Sequence, residues 1–131
     1  MNKRIIYPPG FAAARGAYSP AILLDMNGSH LLFATGQLAV DSAGNVVAPN
    51  NAVEQTEYVF ELIRQILDAA DMTFDHVIRT QTYLTNMDDF PKFSGIRNRR
   101  LAGSLAASTL IAVKGLARPG CCVEIEVTAA K

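Results

Sequence analysis

The sequence predicts an α+β fold in two layers, with five or six strands in one mixed sheet and two helices against one of its faces. Three observations carry that prediction. Only two stretches, opening near Asn51 and Asp88, read as helices. Apolar or alternating runs fill the remainder, in the order strand, strand, helix, strand, helix, strand, strand. The 131 residues, half of them apolar, suffice for one core and not two, so residues 1–131 read as a single domain.

Taken in order, Ile5 to Tyr7 is a short strand ended by Pro8-Pro9-Gly10. Phe11 to Pro20 has neither period and contains Gly16 and Pro20, which makes it a loop, with Tyr18 the one aromatic of its second half. Ala21 to Met26 is a strand, Asn27-Gly28 suits the positive φ of a tight hairpin, and His30 to Leu38 returns. Gly36, inside Thr35-Gly36-Gln37, marks a bulge or a close approach to the backbone. Asp41 to Gly44 turns the chain toward Val46-Val47 and Pro49-Asn50.

Asn51 with Glu54 three residues on forms a helix-start pattern. Val53, Thr56, Phe60, Ile63, Leu67 and Ala70 then recur at three- and four-residue spacing, with Val59 and Ile66 widening the stripe. Val77 to Leu84 is the next strand. A second helix runs from about Asp88 to Ala102, with acids and Pro91 in its first turn and Phe90, Phe93, Ile96 and Leu101 facing inward. The run Leu105 to Val113 is nearly continuously apolar, as in a strand covered on both faces. Cys122 to Val127 alternates, which puts Glu124 and Glu126 on one face and Val123, Ile125 and Val127 on the other. The helices cover one sheet face, so the other must meet a partner, and self-association as a closed ring is the economical cover.

Twelve basic and twelve acidic residues balance to zero net charge, which argues against a nucleic-acid groove. Arg97, Arg99 and Arg100, the one dense basic cluster, read as a solvated helix face. The opening Met-Asn-Lys-Arg is basic, but Pro8, Pro9 and Gly10 interrupt it before an apolar segment forms, and no run approaches membrane-spanning length, so a soluble, cytoplasmic protein is expected. The adjacent Cys121 and Cys122 fit neither a disulfide nor a zinc site, and one is expected to point inward and one outward.

Over nearly its whole length the chain resembles the Rid proteins, also called the YjgF/YER057c/UK114 family or endoribonuclease L-PSP. The resemblance is carried by Gly16-Ala-Tyr18-Ser-Pro-Ala21, Thr35-Gly36-Gln37, Gln55-Thr56, Val77-Ile-Arg-Thr-Gln-Thr-Tyr-Leu84 with Met87-Asp-Asp-Phe90, and Arg118-Pro-Gly-Cys-Cys-Val-Glu-Ile-Glu126. It implies a chorismate-mutase-like fold and a homotrimer whose sheets form a central barrel, with small-molecule pockets between subunits and no cofactor or metal. It also implies hydrolysis of reactive imines and enamines to carbonyl compounds and ammonia. Carried over by position, Glu124 is the carboxylate that activates water, Tyr18 closes the pocket, Gly36 with Thr35 supplies the backbone contact, and Thr109 stands where members carry cysteine or threonine.

Two positions depart from the pattern. Leu105-Ala106-Ala107-Ser108-Thr109 occupies the place of Pro-Ala-Arg-Ser-Thr, so Ala107 replaces the arginine that clamps the substrate carboxylate, and Ser94 replaces an asparagine of the second helix. Losing such a charged donor costs about 2 to 5 kcal/mol by analogy with a truncated charge pair. A substrate other than a simple 2-imino acid is therefore expected, unless Arg97 or Arg100 swings in to supply the clamp. The competing classes are a trimer that binds a small ligand without chemistry, and RNA cleavage, against which the neutral charge and the want of a paired-histidine or metal constellation both argue.

Overall fold

A hairpin, a helix, a second hairpin-like pairing and a crossover build the chain into one sheet, and the computed structural model describes all 131 residues. The strands are β1 (Asn2–Ile6), β2 (Ala21–Met26), β3 (Ser29–Ala34), β4 (Val77–Leu84), β5 (Ala107–Ala112) and β6 (Val123–Ala130), and the helices are α1 (Ala52–Ala69) and α2 (Phe90–Arg100). Sheet order is β1-β2-β3-β6-β4-β5, antiparallel throughout except for the parallel β4–β5 pair. That exception follows from α2, since parallel neighbours require a crossover and a helix supplies it. The β2–β3 turn places Asn27 at φ 56° and Gly28 at φ 95°, the backbone that an Asn-Gly hairpin favours.

Alternation along β6 and its neighbours turns Leu23, Leu32, Thr80, Thr82, Val123, Ile125, Val127 and Ala129 toward the helices, all buried. Val59, Phe60, Ile63, Ile66 and Leu67 of α1 and Phe93 and Ile96 of α2 close over them in a single core. Asn51 caps α1 through its side-chain oxygen, which accepts from the Glu54 amide at 3.0 Å. The predicted stripe needs one correction there. Val53 is 39 % exposed, and Ala52 and Gln55 face inward in its place, beside the expected Thr56.

Gln55 is fully buried and its amide joins three segments. Its Nε2 donates to the carbonyls of Val47 (3.1 Å), Ala48 (3.1 Å) and Gly120 (2.8 Å), while its Oε1 accepts from the Cys122 amide (2.8 Å) and thiol (3.1 Å). This contact turns Cys122 inward, and Cys121 is buried in the preceding turn, so both cysteines are buried, contrary to the inward-outward expectation. Burial pushes both thiols up, and they stay protonated and unbridged.

Other differences concern ends and edges. The first strand begins at Asn2 and stops at Ile6. The third stops at Ala34, because Thr35 bonds back to the Pro20 carbonyl, and only Gln37 touches the sheet again, opposite Ile125. A 3₁₀ turn, Met87–Asp89, precedes α2, which ends at Arg100 rather than Ala102, and Phe90 is 37 % exposed instead of facing inward. Most consequentially, the Leu105–Val113 run is not covered on both faces within the chain. Its ordered part, β5, is an edge strand with five of its six residues exposed. On the helix side Leu110 packs against the core and Arg97 reaches Ser108, whereas the opposite face, with Ala107, Thr109 and Ile111, has no second layer in this chain. None of the helices is long and apolar enough to cross a membrane.

Gln55→Ala is expected to lower the unfolding free energy by about 3 kcal/mol, because it strands buried carbonyls and an amide. Urea unfolding measures it, with the half-buried Gln65→Ala expected within about 0.5 kcal/mol of wild type.

Candidate functional site

The uncovered sheet face gathers several of the candidate side chains. Strand register opposes Glu124 to Tyr83, Glu126 to Gln81 and Thr128 to Arg79, and on the next strand Tyr83 pairs with Ile111, Gln81 with Thr109 and Arg79 with Ala107. Side chains opposite one another in a ladder share a face. Glu124, Glu126, Tyr83, Thr109 and Ala107 therefore line one surface, with Thr109 two strands, about 10 Å, across from Glu126. The Tyr83 hydroxyl donates to Glu126 at 3.4 Å.

Gly36 is held against Glu124. Reciprocal backbone bonds between Gln37 and Ile125 (2.8 and 3.2 Å) fix the segment beside β6, and the Gln37 side-chain amide donates to the Thr35 carbonyl at 2.7 Å. A Cβ on Gly36 would lie 2.6 Å from Glu124 Oε2 and 2.8 Å from its Cδ, so only glycine leaves the carboxylate its place. The close approach expected at Gly36 is thus made by this chain's own acid. Thr35 ties in the early loop, its hydroxyl donating to the Ser19 carbonyl at 2.6 Å and its amide to that of Pro20 at 2.8 Å. Tyr18 stands on that loop, 57 % exposed, its hydroxyl accepting from the Arg15 amide at 3.3 Å. With Thr35, Ile22 and Phe33 it bounds a shallow cavity of about 500 Å³ on the same side of the sheet.

Glu124 is half-buried, and its carboxyl is held above the ordinary range, first by burial and then by the neighbouring charge of Glu126. Burial and the Glu126 carboxylate likewise push the Tyr83 phenol up, keeping it a donor. A carboxylate of raised basicity beside an open surface can accept a proton from water.

The basic cluster of α2 does not form one group. Arg100 donates to Glu57 at 2.9 Å and lies 3.8 Å from Glu61, and Arg99 also binds Glu57, so this pair fastens α2 to α1. Arg100 in return is the chief cause holding the Glu57 carboxyl below its usual range. Arg97 donates to Ser94 Oγ at 3.0 Å and to Ser108 Oγ at 3.5 Å, with its guanidinium over the rings of Phe93 and Phe90. Ser108 alternates with Ala107 and Thr109, so Arg97 and Ser94 meet β5 on its helix side, opposite the face that carries Glu124. Tyr83 and Gln37 are the site neighbours that sequence reasoning missed. The register that brings Tyr83 opposite Glu124 is a tertiary fact without a local signal, whereas Gln37 adjoins the glycine already singled out.

The raised Glu124 carboxyl makes a prediction with a definite sign. The folded chain holds that proton to higher pH than the unfolded chain, so this group's contribution to stability is fully present below the ordinary carboxylate pKa of about 4.3 and falls as pH rises through the raised value. Glu124→Gln should therefore stabilise the fold near neutral pH, with the gain shrinking in acid. Urea titrations across pH measure the gain, and carbon NMR should show the Glu124 titration moving down in Glu126→Gln.

Three comparisons bear on this geometry. The family model for endoribonuclease L-PSP matches residues 11–131. The chain is 31 % identical to the 2-iminobutanoate/2-iminopropanoate deaminase of Mus musculus over 97 % of its length and 90 % of the relative's. It is 30 % identical to the protein DfrA of Myxococcus xanthus over 98 % and 96 %. Among solved structures, the Rid-family protein YyfA of Yersinia pestis superposes with a TM-score of 0.87 at 30 % identity, covering 99 % of this chain and 100 % of that one. The YjgF gene product of E. coli does so with a TM-score of 0.80 over 98 % of each at 20 % identity, a likeness of fold. On the family match and the similarity to YyfA, the chain belongs to the endoribonuclease L-PSP family, that of the Rid proteins.

Proposed function

We propose that the protein is a Rid-type hydrolase of imines or enamines other than simple 2-imino acids, working in pockets between the subunits of a homotrimer. The observation that carries this reading is Glu124, a half-buried carboxylate of raised pKa seated on Gly36 and open to a sheet face that the chain leaves uncovered. The deaminase activity of the mouse relative supports the reaction class. Trimer formation is supported by the apolar residues left out on that face and its edges, among them Phe33 at 46 %, Ile5 at 60 % and Ile111 at 43 % exposure.

The chemistry asks little of the protein. Glu124 takes a proton from water as the water oxygen bonds to the imine carbon, and passes it to the nitrogen to give a neutral carbinolamine. Glu124 then takes the carbinolamine hydroxyl proton and delivers it to the amine nitrogen as the carbon–nitrogen bond breaks, so that a carbonyl compound and ammonia leave and the carboxylate is regenerated. Tyr18 and Thr109, brought to the cleft by adjacent subunits, donate hydrogen bonds to the nitrogen or the new oxygen. General-base help of this kind contributes about 10² to 10⁴ in rate. Ala107 leaves the carboxylate of a 2-imino acid without its guanidinium, while Arg100 is engaged by Glu57 and Arg97 by two serines. The same absence favours a second reading, a trimer that binds a small carbonyl or imine without turning it over.

Light scattering should give three times the chain mass. With 2-iminobutanoate generated by an amino-acid oxidase, the wild type should be slow and Ala107→Arg at least tenfold faster in kcat/KM. Glu124→Gln should remove the acceleration in both backgrounds. An Ala107→Arg protein as inert as its Glu124→Gln derivative would favour the binding reading.

A further inference from the structure

On the helix side of the Thr35–Gln37 segment lies a second cavity, of about 910 Å³, formed within one chain. Its floor is one stripe of α1, Tyr58, Leu62 and Gln65, and its roof is the loop of residues 9–15. The loop is arched by Tyr7, whose hydroxyl donates to the Ala12 carbonyl (3.0 Å) and accepts from the Ala14 amide (2.9 Å). Ala12, Ala13 and Ala14 are too small to fill the space that the arch encloses. A cavity of this size falls within the range of small-molecule sites.

Its charges are asymmetric. Two guanidiniums, Arg15 and Arg118, line it, and neither has a carboxylate within 4.0 Å, in contrast to Arg64, Arg99 and Arg100, each of which is paired with an acid. Arg118 is half-buried and spends one donor on the Gly44 carbonyl at 2.7 Å, leaving the rest of its fork free. The one acid in the wall, Asp41, accepts the Ala43 and Asn45 amides within its own turn (3.0 and 2.9 Å). Tyr58 and Gln65 add polar groups at the floor, and apolar residues make up half of the wall.

We propose that this cavity is a ligand site separate from the Glu124 face, taking an amphipathic organic anion: a compact aromatic or branched body against Leu62, Tyr58 and the alanine arch, and a carboxylate held by Arg118 and Arg15. Bidentate guanidinium contact suits a carboxylate better than a neutral group. The site shares a partition with the proposed catalytic face: Tyr18, Thr35 and Gly36 line this cavity, Tyr18 and Thr35 also line the cavity on the Glu124 side, and Gly36 supports Glu124 there. Binding does not depend on turnover, so this proposal stands or falls apart from the hydrolase reading.

Calorimetric titration of the full-length protein with benzoate, phenylacetate and cinnamate tests it, with phenylacetamide as the uncharged counterpart. At least one of the acids should bind saturably at one per chain, and phenylacetamide at least tenfold more weakly than phenylacetate if that acid is among them. Arg118→Gln and Arg15→Gln should each weaken binding by tenfold or more, and Leu62→Trp, which fills the cavity, should abolish it, while Thr109→Val leaves it unchanged. Thermal unfolding verifies that each variant is folded, and Arg15→Gln with Leu62→Trp decides the matter if Arg118→Gln loosens the Gly44 turn. No binding of any of the three acids overturns the proposal. So does binding that Thr109→Val removes while Arg15→Gln and Leu62→Trp leave it intact.

Discussion

The side-chain amide of Gln55 is the contact on which the geometry of this chain most depends. A fully buried amide left without partners would be strongly destabilising, so its donors and acceptor have to be met, and here they are met by backbone from two separate stretches. The turn before α1 and the Gly120–Cys122 segment that leads into β6 are thereby fixed to one helix. The position of Glu124 follows, two residues beyond the Cys122 amide that Gln55 accepts. Hydrophobic packing of α1 on the sheet could tolerate a small slide of the helix, whereas a set of directional bonds to one amide cannot.

A division of labour between the two sheet faces follows. The helix side is closed, and its interior is apolar except for threonines and the Gln55 set. The opposite side holds two neighbouring carboxylates, a phenol and a row of small residues, a composition unsuited to a core and suited to a lined pocket. Ala107 belongs to that row. Where relatives of the Rid pattern place a guanidinium, this chain has a methyl group, and none of the arginines on α2 makes up the difference within the chain. On the proposed function, the carboxylate on β6 and the substrate preference set on β5 are separable, since Glu124 is present while position 107 carries only a methyl group.

Much of the fold was legible in the sequence because its signals are local. Asn27-Gly28 states its own backbone, Asn51 its capping role, and Val59 to Leu67 the buried face of a helix. The alternation of β6 fixed which acids share a face before any pairing was known. What was not legible depends on distance along the chain. Val53 satisfies the helical period, but at that end of α1 it is Ala52, Gln55 and Thr56 that face the core. Phe90 lies beneath the Arg97 guanidinium rather than in the core. The two cysteines are adjacent, yet both are buried, Cys122 on Gln55 and Cys121 in the turn where its amide binds the Arg118 carbonyl. The run containing β5 has the composition of a strand interior, yet five of the six residues of β5 are exposed in the single chain. For the site, residue identity was legible through the family pattern, while the ion pairs that occupy Arg99 and Arg100 required knowing that α2 packs on α1.

The contact between Gly36 and Glu124 bears on how such chains can diverge. Because the glutamate occupies the volume that any side chain at position 36 would need, the two positions are tied by exclusion rather than by attraction. A chain of this fold that gains a side chain at position 36 has to shorten or turn away the acid, and one that loses the acid is released from glycine. Glycine at position 36 and the seated carboxylate at position 124 are one feature of this face, written at two distant places in the chain.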